Sequence, residues 1–217
     1  HEFRTKRTNV FTVAGGSALP FGAWDRCARK QARAVTVVDH PVLVVDGSWN
    51  GDSTAILGVT EDGYVFTVDC WERPPDDLHW RVPIEDVKAT VRAKARELGA
   101  RWVVFDPFRW QETMQNLEAE GLPIMEFPFA SPTRMVPAWK HFYDAVMDRT
   151  LEHDGDLRLA RHVDNMRLKV DHLGARPTKE HKMSSRHIDL GICAVAAWLL
   201  RAMPAPDGSP EPMMAYS

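Results

Sequence analysis

The apolar residues of this chain fall into short runs, and two of them end in an acid. Val42-Leu43-Val44-Val45 closes on Asp46, and Trp102-Val103-Val104-Phe105 closes on Asp106. Runs of this length, bounded by turn residues, predict buried strands with a carboxylate at each C-terminal tip. Thr54 to Val59 predicts a second strand, Asp62-Gly63 a tight turn, and Tyr64 to Trp71 a third strand, together an antiparallel meander. Ile84, Val87, Val91, Ala95 and Leu98 recur three or four apart and predict a helix over 84–98, stopped by Gly99. The strand to Asp106 follows, then a helix from Gln111 to Glu120 closed by Gly121, then a short strand from Ile124 to Phe127. Strand, helix, strand, helix, strand implies parallel strands with right-handed crossovers.

The C-terminal half reads as mostly helical. Ala138 to Leu151 is a helix, His153-Asp154-Gly155-Asp156 a turn, Leu157 to Asn165 a helix and Met166 to Val170 a strand. Ser185 to Met203 is the clearest helix, with an apolar stripe of Ile188, Ile192, Val195 and Leu199 and a cap from Ser184 or Ser185. At the start, Thr5 to Val13 reads as extended and Trp24 to Ala34 as helical and basic. From Pro204 on, Pro206, Pro210 and Pro212 predict a disordered tail. The order predicts an α/β fold: one mixed sheet of five or more strands, flanked by helices.

Ligands in such sheets favour the carboxyl ends of the strands. Asp46 and Asp106 lie there, and as neighbours they repel each other while burial penalises both charges, which calls for a cation. Asp189, near the start of the last helix, is a third acid, and a helix N-terminus favours negative charge. It sits about 100° around the helix from the stripe and so leans toward an edge of the sheet. Three carboxylates suit hard cations such as Mg²⁺ or Mn²⁺. Two such ions about 3.5–4 Å apart clamp the attacking and leaving oxygens in phosphodiester cleavage.

Composition narrows the partners. With 217 residues, 44% hydrophobic and 26% charged, the chain holds one substantial domain plus extensions. A net charge of −3 excludes a broadly basic nucleic-acid binder but not a basic patch. Such a patch exists: Arg158 to Arg186 carries eight Lys or Arg against three Asp or Glu. Arg176, Lys179, Lys182 and Arg186 run up to the Asp189 helix, and Gly174 and Pro177 predict a loop, as expected of a phosphate-backbone binder with little sequence readout. Cys27, Cys70 and Cys193 match no metal spacing and suit a reducing cytoplasm. No apolar stretch reaches the ~20 residues that span a bilayer, so no membrane partner is expected. Opening on His1 rather than Met, the chain reads as a piece of a longer protein, and its sequence contains no Walker loop.

Several residues have a plainer reading. A single strand-end aspartate is most often a cap or turn former, and Asp52 reads as a hairpin brace with Ser53 and Thr54 rather than a fourth acid. His153-Asp154-Gly155-Asp156 lacks the further ligands of a calcium loop. His172, His181 and His187 have no cysteine partners for zinc, though one can touch phosphate. Trp49, Trp110 and Trp139 read as packing residues, with Trp49 near enough to Asp46 to line a site.

Val45-Asp46-Gly47-Ser48, the segment Asn50-Gly51-Asp52-Ser53-Thr54-Ala55, Val104-Phe105-Asp106, and Ile188-Asp189 with its small-residue helix resemble the nuclease domain of the large terminase subunit of tailed bacteriophages. So does Leu151 to Asn165, with His153-Asp154-Gly155-Asp156 and Leu159-Ala160-Arg161-His162. The resemblance spans residues 3–203 and implies a ribonuclease-H-like domain over 41–203. Residues 1–40 then lead toward an ATPase domain outside this chain, and 204–217 form a tail. It further implies Asp46, Asp106 and Asp189 as the catalytic, metal-binding acids, and two Mg²⁺ or Mn²⁺ ions. The implied reaction is endonucleolytic hydrolysis of concatemeric double-stranded viral DNA during packaging, with no covalent nucleophile. Lys169, Arg176, Lys179, Lys182 and Arg186 are the expected DNA contacts, with Lys169 or Lys182 offsetting charge on the phosphorus. Implied partners are the ATPase domain, the small terminase subunit and the portal, in the cytoplasm of the bacterial host. Three other functions share parts of this pattern. A transposase or integrase strand-transfer core usually has Glu where Asp189 stands. An actin-like ATPase lobe needs a second lobe and a second glycine-rich phosphate loop. A non-catalytic docking module needs neither acids nor metal.

Overall fold

The computed structural model describes residues 16–47, 53–74, 76–77, 79–181 and 184–206. The meander is β1 (Val42–Gly47), β2 (Ser53–Val59) and β3 (Tyr64–Glu72). Then come α1 (Ile84–Glu97), β4 (Trp102–Phe105), α2 (Pro107–Ala119), β5 (Ile124–Glu126) and α3 (Pro132–Asp148). The chain continues through β6 (Glu152–His153), α4 (Leu157–Asn165), β7 (Arg167–Asp171), β8 (Gly174–Thr178) and α5 (Asp189–Leu200). Six strands form one sheet in the order β5-β4-β1-β2-β3-β6, and β7 and β8 form a separate pair. β2 lies antiparallel between β1 and β3, while β4 runs parallel to β1 and β5 parallel to β4. Asp46 and Asp106 therefore emerge side by side at the carboxyl ends of adjacent parallel strands, in register with Val45 opposite Phe105.

Alternation along the strands sends successive side chains to opposite faces. Val42, Val44, Ala55, Leu57, Val59, Val65 and Val104 pack under α3, α4 and α5. Leu43, Val45, Ile56, Val103 and Phe105 pack under α1 and α2. By the same count Asp46 and Asp106 face α5, as does Ser53. β3 adds one irregularity. Leu57 pairs with Thr67 but Ile56 with Asp69, so Val68 is an extra residue. This β-bulge changes which face the later residues meet. Val65 packs on the α5 side and Phe66 and Val68 on the other, but beyond the bulge Cys70 packs on the α5 side and Trp71 opposite. Glu72, paired with Ser53, follows Cys70 onto the α5 face.

Several elements differ from the sequence expectation. Trp24–Ala34 is not a helix. Only Asp25–Cys27 makes a 3-10 turn, after which Ala28 bridges to His153 and the Arg29 amide donates to the His153 carbonyl, 3.0 Å away. Those backbone groups extend the sheet edge instead of closing a helix. Ala18, Leu19, Ala23, Trp24 and Cys27 are buried in the α5-side core, so the expected joining segment packs on the domain. α2 begins at Pro107 rather than Gln111, because the proline that ends β4 suits a first helical position. α3 begins at Pro132 rather than Ala138, carries Pro137 inside, and ends at Asp148. The expected turn at His153-Asp154-Gly155-Asp156 is present, but its first residue closes β6 and its last caps α4.

The basic stretch expected as a loop is the β7–β8 hairpin, with Pro177 opposite Leu168. A two-stranded ribbon has only edges, where the missing amide of proline is tolerated. α5 starts at Asp189 and ends at Leu200. It is buried nearly all round, and of the expected stripe only Leu199 is partly exposed. Such a helix is held between layers rather than by one face. Thr5–Val13, Ser48, Trp49, Asn50, Gly51, Asp52, Lys182 and the tail from residue 207 lie outside the described residues. Among the described residues, no helix is long and apolar enough to cross a membrane.

Candidate metal centre

Each of the three acids is placed by a different device. Asp46 ends the α5-facing row of β1 and is half-buried, with its Oδ1 accepting the Gly47 amide at 2.8 Å. Gly47 has φ +139°, and a Cβ there would lie 2.5 Å from the Thr54 Cα, so glycine is required where β1 closes on β2. Asp106 is the N-cap of α2; its Oδ1 accepts the Phe108 amide at 2.9 Å, and it is only 7% exposed. Asp189 is the first residue of α5. Its Oδ2 accepts the Ser53 hydroxyl. With that proton given to Asp189, the 3.2 Å contact between Ser53 Oγ and His187 Nδ1 is a donation from the ring. Asn165 Nδ2 holds the His187 carbonyl at 3.0 Å.

The apolar stripe of the sequence sets Asp189 toward a sheet edge. Instead it lies over the central strands, bonded to Ser53 of β2, because an all-round buried helix is not oriented by one stripe. Each acid thus has one oxygen fixed, and no hydrogen bond from a described residue reaches its other oxygen. Burial pushes the Asp46 carboxyl up from 3.8 to about 7, the Asp189 charge adds to this, and Arg109, the Gly47 amide and Asp106 modify it less. An all-oxygen set carrying this much unrelieved charge suits a hard divalent cation. Arg109 Nη1 donates to the Gly47 carbonyl at 3.2 Å, and its charge opposes the rise at Asp46.

The three carboxylates do not close on one point. Among the described residues, the one trio of His, Cys, Asp or Glu donor atoms all within 4.8 Å of one another is Cys70, Glu72 and His162. Hydrogen-bond polarity argues against a metal there. His162 Nδ1 accepts the Leu190 amide at 3.0 Å, so the ring proton is on Nε2, which donates to Glu72 Oε1 at 3.1 Å. A metal bound at the Nε2 that faces Glu72 would need the reverse, a bare Nε2 and an Nδ1 that donates outward.

The expected DNA contacts are spread over the hairpin and the segment after it. Lys169 is exposed on β7, opposite Arg176 of β8. Arg176 is engaged with Asp171 at 2.7 Å, and Arg186 lies 3.6 Å from Glu180. Lys179 is close enough to His187 for its charge, after burial, to lower the ring's pKa. Trp110 and Trp139 are buried, as expected of packing residues. His153 is also buried, stacked on Trp24 with ring centroids 4.1 Å apart.

Sequence reasoning missed Arg109, Glu72 and His162 as parts of this site, and the link from His187 through Ser53 to Asp189. Arg109 follows Asp106 by three residues, one helical turn, and a helix started at Pro107 would have revealed it. The other links join residues far apart in sequence and leave no local signal.

No protein-family model and no curated protein sequence matches the chain. Solved structures do. The large terminase nuclease from thermophilic phage G20c with bound magnesium is 17% identical, with a TM-score of 0.59 over 86% of this chain and 98% of that one. The HK97 bacteriophage large terminase is 18% identical, with a TM-score of 0.66 over 82% of this chain but only 42% of its own. The nuclease domain of the large terminase subunit of bacterial virus Sf6, with manganese and β-thujaplicinol, is 10% identical, with a TM-score of 0.59 over 83% of this chain and 97% of that one. The chain therefore has the ribonuclease-H-like fold of large terminase nuclease domains.

Proposed function

We propose that this chain is a divalent-metal-dependent DNA endonuclease, the nuclease part of a large terminase that cuts concatemeric viral DNA during packaging. The observation that carries this reading is that Asp46, Asp106 and Asp189 share one face of the sheet, at the carboxyl ends of β1 and β4 and the start of α5. These three would hold Mg²⁺ or Mn²⁺, two ions in this reading. Such ions supply Lewis-acid charge at the phosphate and make water acidic enough to be a nucleophile near neutral pH.

The chain's own residues do the rest. Ser53 holds one oxygen of Asp189 and leaves the other for a cation. Arg109 brings a positive charge beside Asp46, where the phosphodiester would be negative. Lys169 and Lys179, with Lys182 and Arg186, would follow the DNA backbone with little sequence readout. Burial holds the Cys70 and Cys193 thiols above their ordinary pKa, so neither offers a thiolate for covalent chemistry. In this reading residues 1–40 lead to an ATPase domain. The small terminase subunit and portal are partners, and the site of action is the bacterial host cytoplasm.

Supercoiled plasmid tests the reading. Nicked and linear products should appear with Mn²⁺ or Mg²⁺ and vanish with EDTA. Asp46→Ala and Asp106→Ala should each lower the rate about 100-fold or more with the melting curve preserved. Mutants that cut as fast as the parent would sink the assignment. Products joined to new DNA would favour a strand-transfer core instead.

A further inference from the structure

α5 has no cap of its own. Its N-cap residue, Ile188, makes no side-chain cap bond, and the expected serines are engaged elsewhere or remote; Ser184 Oγ accepts the Arg186 amide at 3.2 Å. The first turn of a helix has amides without internal partners. One of them, on Leu190, is taken by His162 Nδ1 of α4, a residue 28 positions earlier. His162 is fully buried. Its other nitrogen donates to Glu72 Oε1, and Glu72 Oε2 takes Arg161. The bulge in β3 puts Glu72 on this face. α4 can approach because α5 has Gly191 at the contact, where a Cβ would lie 2.9 Å from Met166 Sδ and 3.3 Å from the His162 carbonyl.

The structure assigns His162, oriented by Glu72, as a cap supplied from another helix that fixes the start of α5 and so positions Asp189. The inference rests on the reading of Asp189 as a cation ligand. His162 touches neither substrate nor cation; it is a positioning residue. Glu72 fixes the ring's tautomer, the ring fixes the Leu190 amide, and that amide belongs to the residue next to Asp189. From the other side Ser53 fixes the Asp189 carboxylate. The backbone and side chain of one residue are thus held by separate chains of hydrogen bonds.

The two ring nitrogens have different jobs, so conservative variants separate them. Asn places an acceptor where Nδ1 stands but cannot reach Glu72. Gln reaches Glu72 but leaves Leu190 uncapped. In the full chain, His162→Leu should speed amide exchange at Leu190 and Gly191 about tenfold or more while Val195 keeps the parent rate. It should also weaken Mn²⁺ binding, measured by calorimetry, about tenfold or more. His162→Asn should restore both toward parent values, and His162→Gln neither. Parent exchange at Leu190 in His162→Leu, or equal rescue by Gln and Asn, would overturn the proposal. If His162→Leu does not fold, the Asn and Gln comparison decides. Asp189→Asn with parent Mn²⁺ affinity would instead overturn the metal reading itself, while the exchange data would still decide the cap.

Discussion

A carboxyl group held near neutrality makes the site sensitive to pH in a definite direction. Asp46 titrates at about 7 in the folded protein against an ordinary 3.8, through burial first and Asp189 second. Its contribution to stability is fully present below about 3.8 and is lost as pH rises through about 7. Melting of the metal-free protein should therefore fall between about pH 4 and pH 7, and Asp46→Asn should flatten that fall. A cation replaces the proton, so the rise in melting temperature on adding Mn²⁺ should grow over the same range. Arg109→Ala removes the charge that opposes the shift and should move both transitions to higher pH, read from the same melts. Glu72 shows the opposite sign. The hydrogen bond from His162 leads in lowering it from 4.5 to about 2, so its contribution is present above 4.5 and lost as pH falls toward 2. At this scale Asp46 and Asp106 stand out in the sequence because apolar runs end on them, and Asp189 because it lies near a helix start, whereas their supports do not, because Ser53, Glu72 and His162 meet only after folding.

At the scale of elements, boundaries carry the chemistry. β1 ends at Gly47, where the positive φ and the nearness of Thr54 leave no room for a side chain. Gly47→Ala should cost about 1 kcal/mol or more in a denaturant titration and reduce cleavage, because it parts β1 from β2 beside Asp46. The β7–β8 hairpin is the second such element. Arg176 pairs with Asp171 within it, so its removal should loosen the hairpin, whereas Lys169 is exposed. Lys169→Ala with Lys179→Ala should weaken DNA binding and reduce the slope of log affinity against log salt by about 2, since each phosphate contact contributes about 0.9. An unchanged slope would take both lysines out of the interface. The strands were legible because alternation and apolar runs are local. The hairpin reads as a loop in the sequence because Gly174 and Pro177 are loop formers except on a ribbon with two free edges. The start of α2 lies four residues before Gln111 because Pro107 both ends a strand and opens a helix.

Over the whole molecule, one face of one sheet collects Asp46, Ser53, Cys70, Glu72 and Asp106 beneath a helix whose start is Asp189. The sequence conveyed a mixed sheet and the succession of β1 to β5 along the chain, since these follow from runs, turns and crossovers, but not the two-residue β6 at the sheet edge. It could not convey which strand residues share a face across β3, because a single extra residue reverses the count. That residue, Val68, makes β3 behave like a reading frame. Deleting it would close the bulge and leave the frame beyond it intact: Cys70 and Glu72 would keep their partners Ala55 and Ser53 and stay on the α5 face. What the deletion would change is the local bend and twist that the extra residue imparts, not the face that any paired side chain meets.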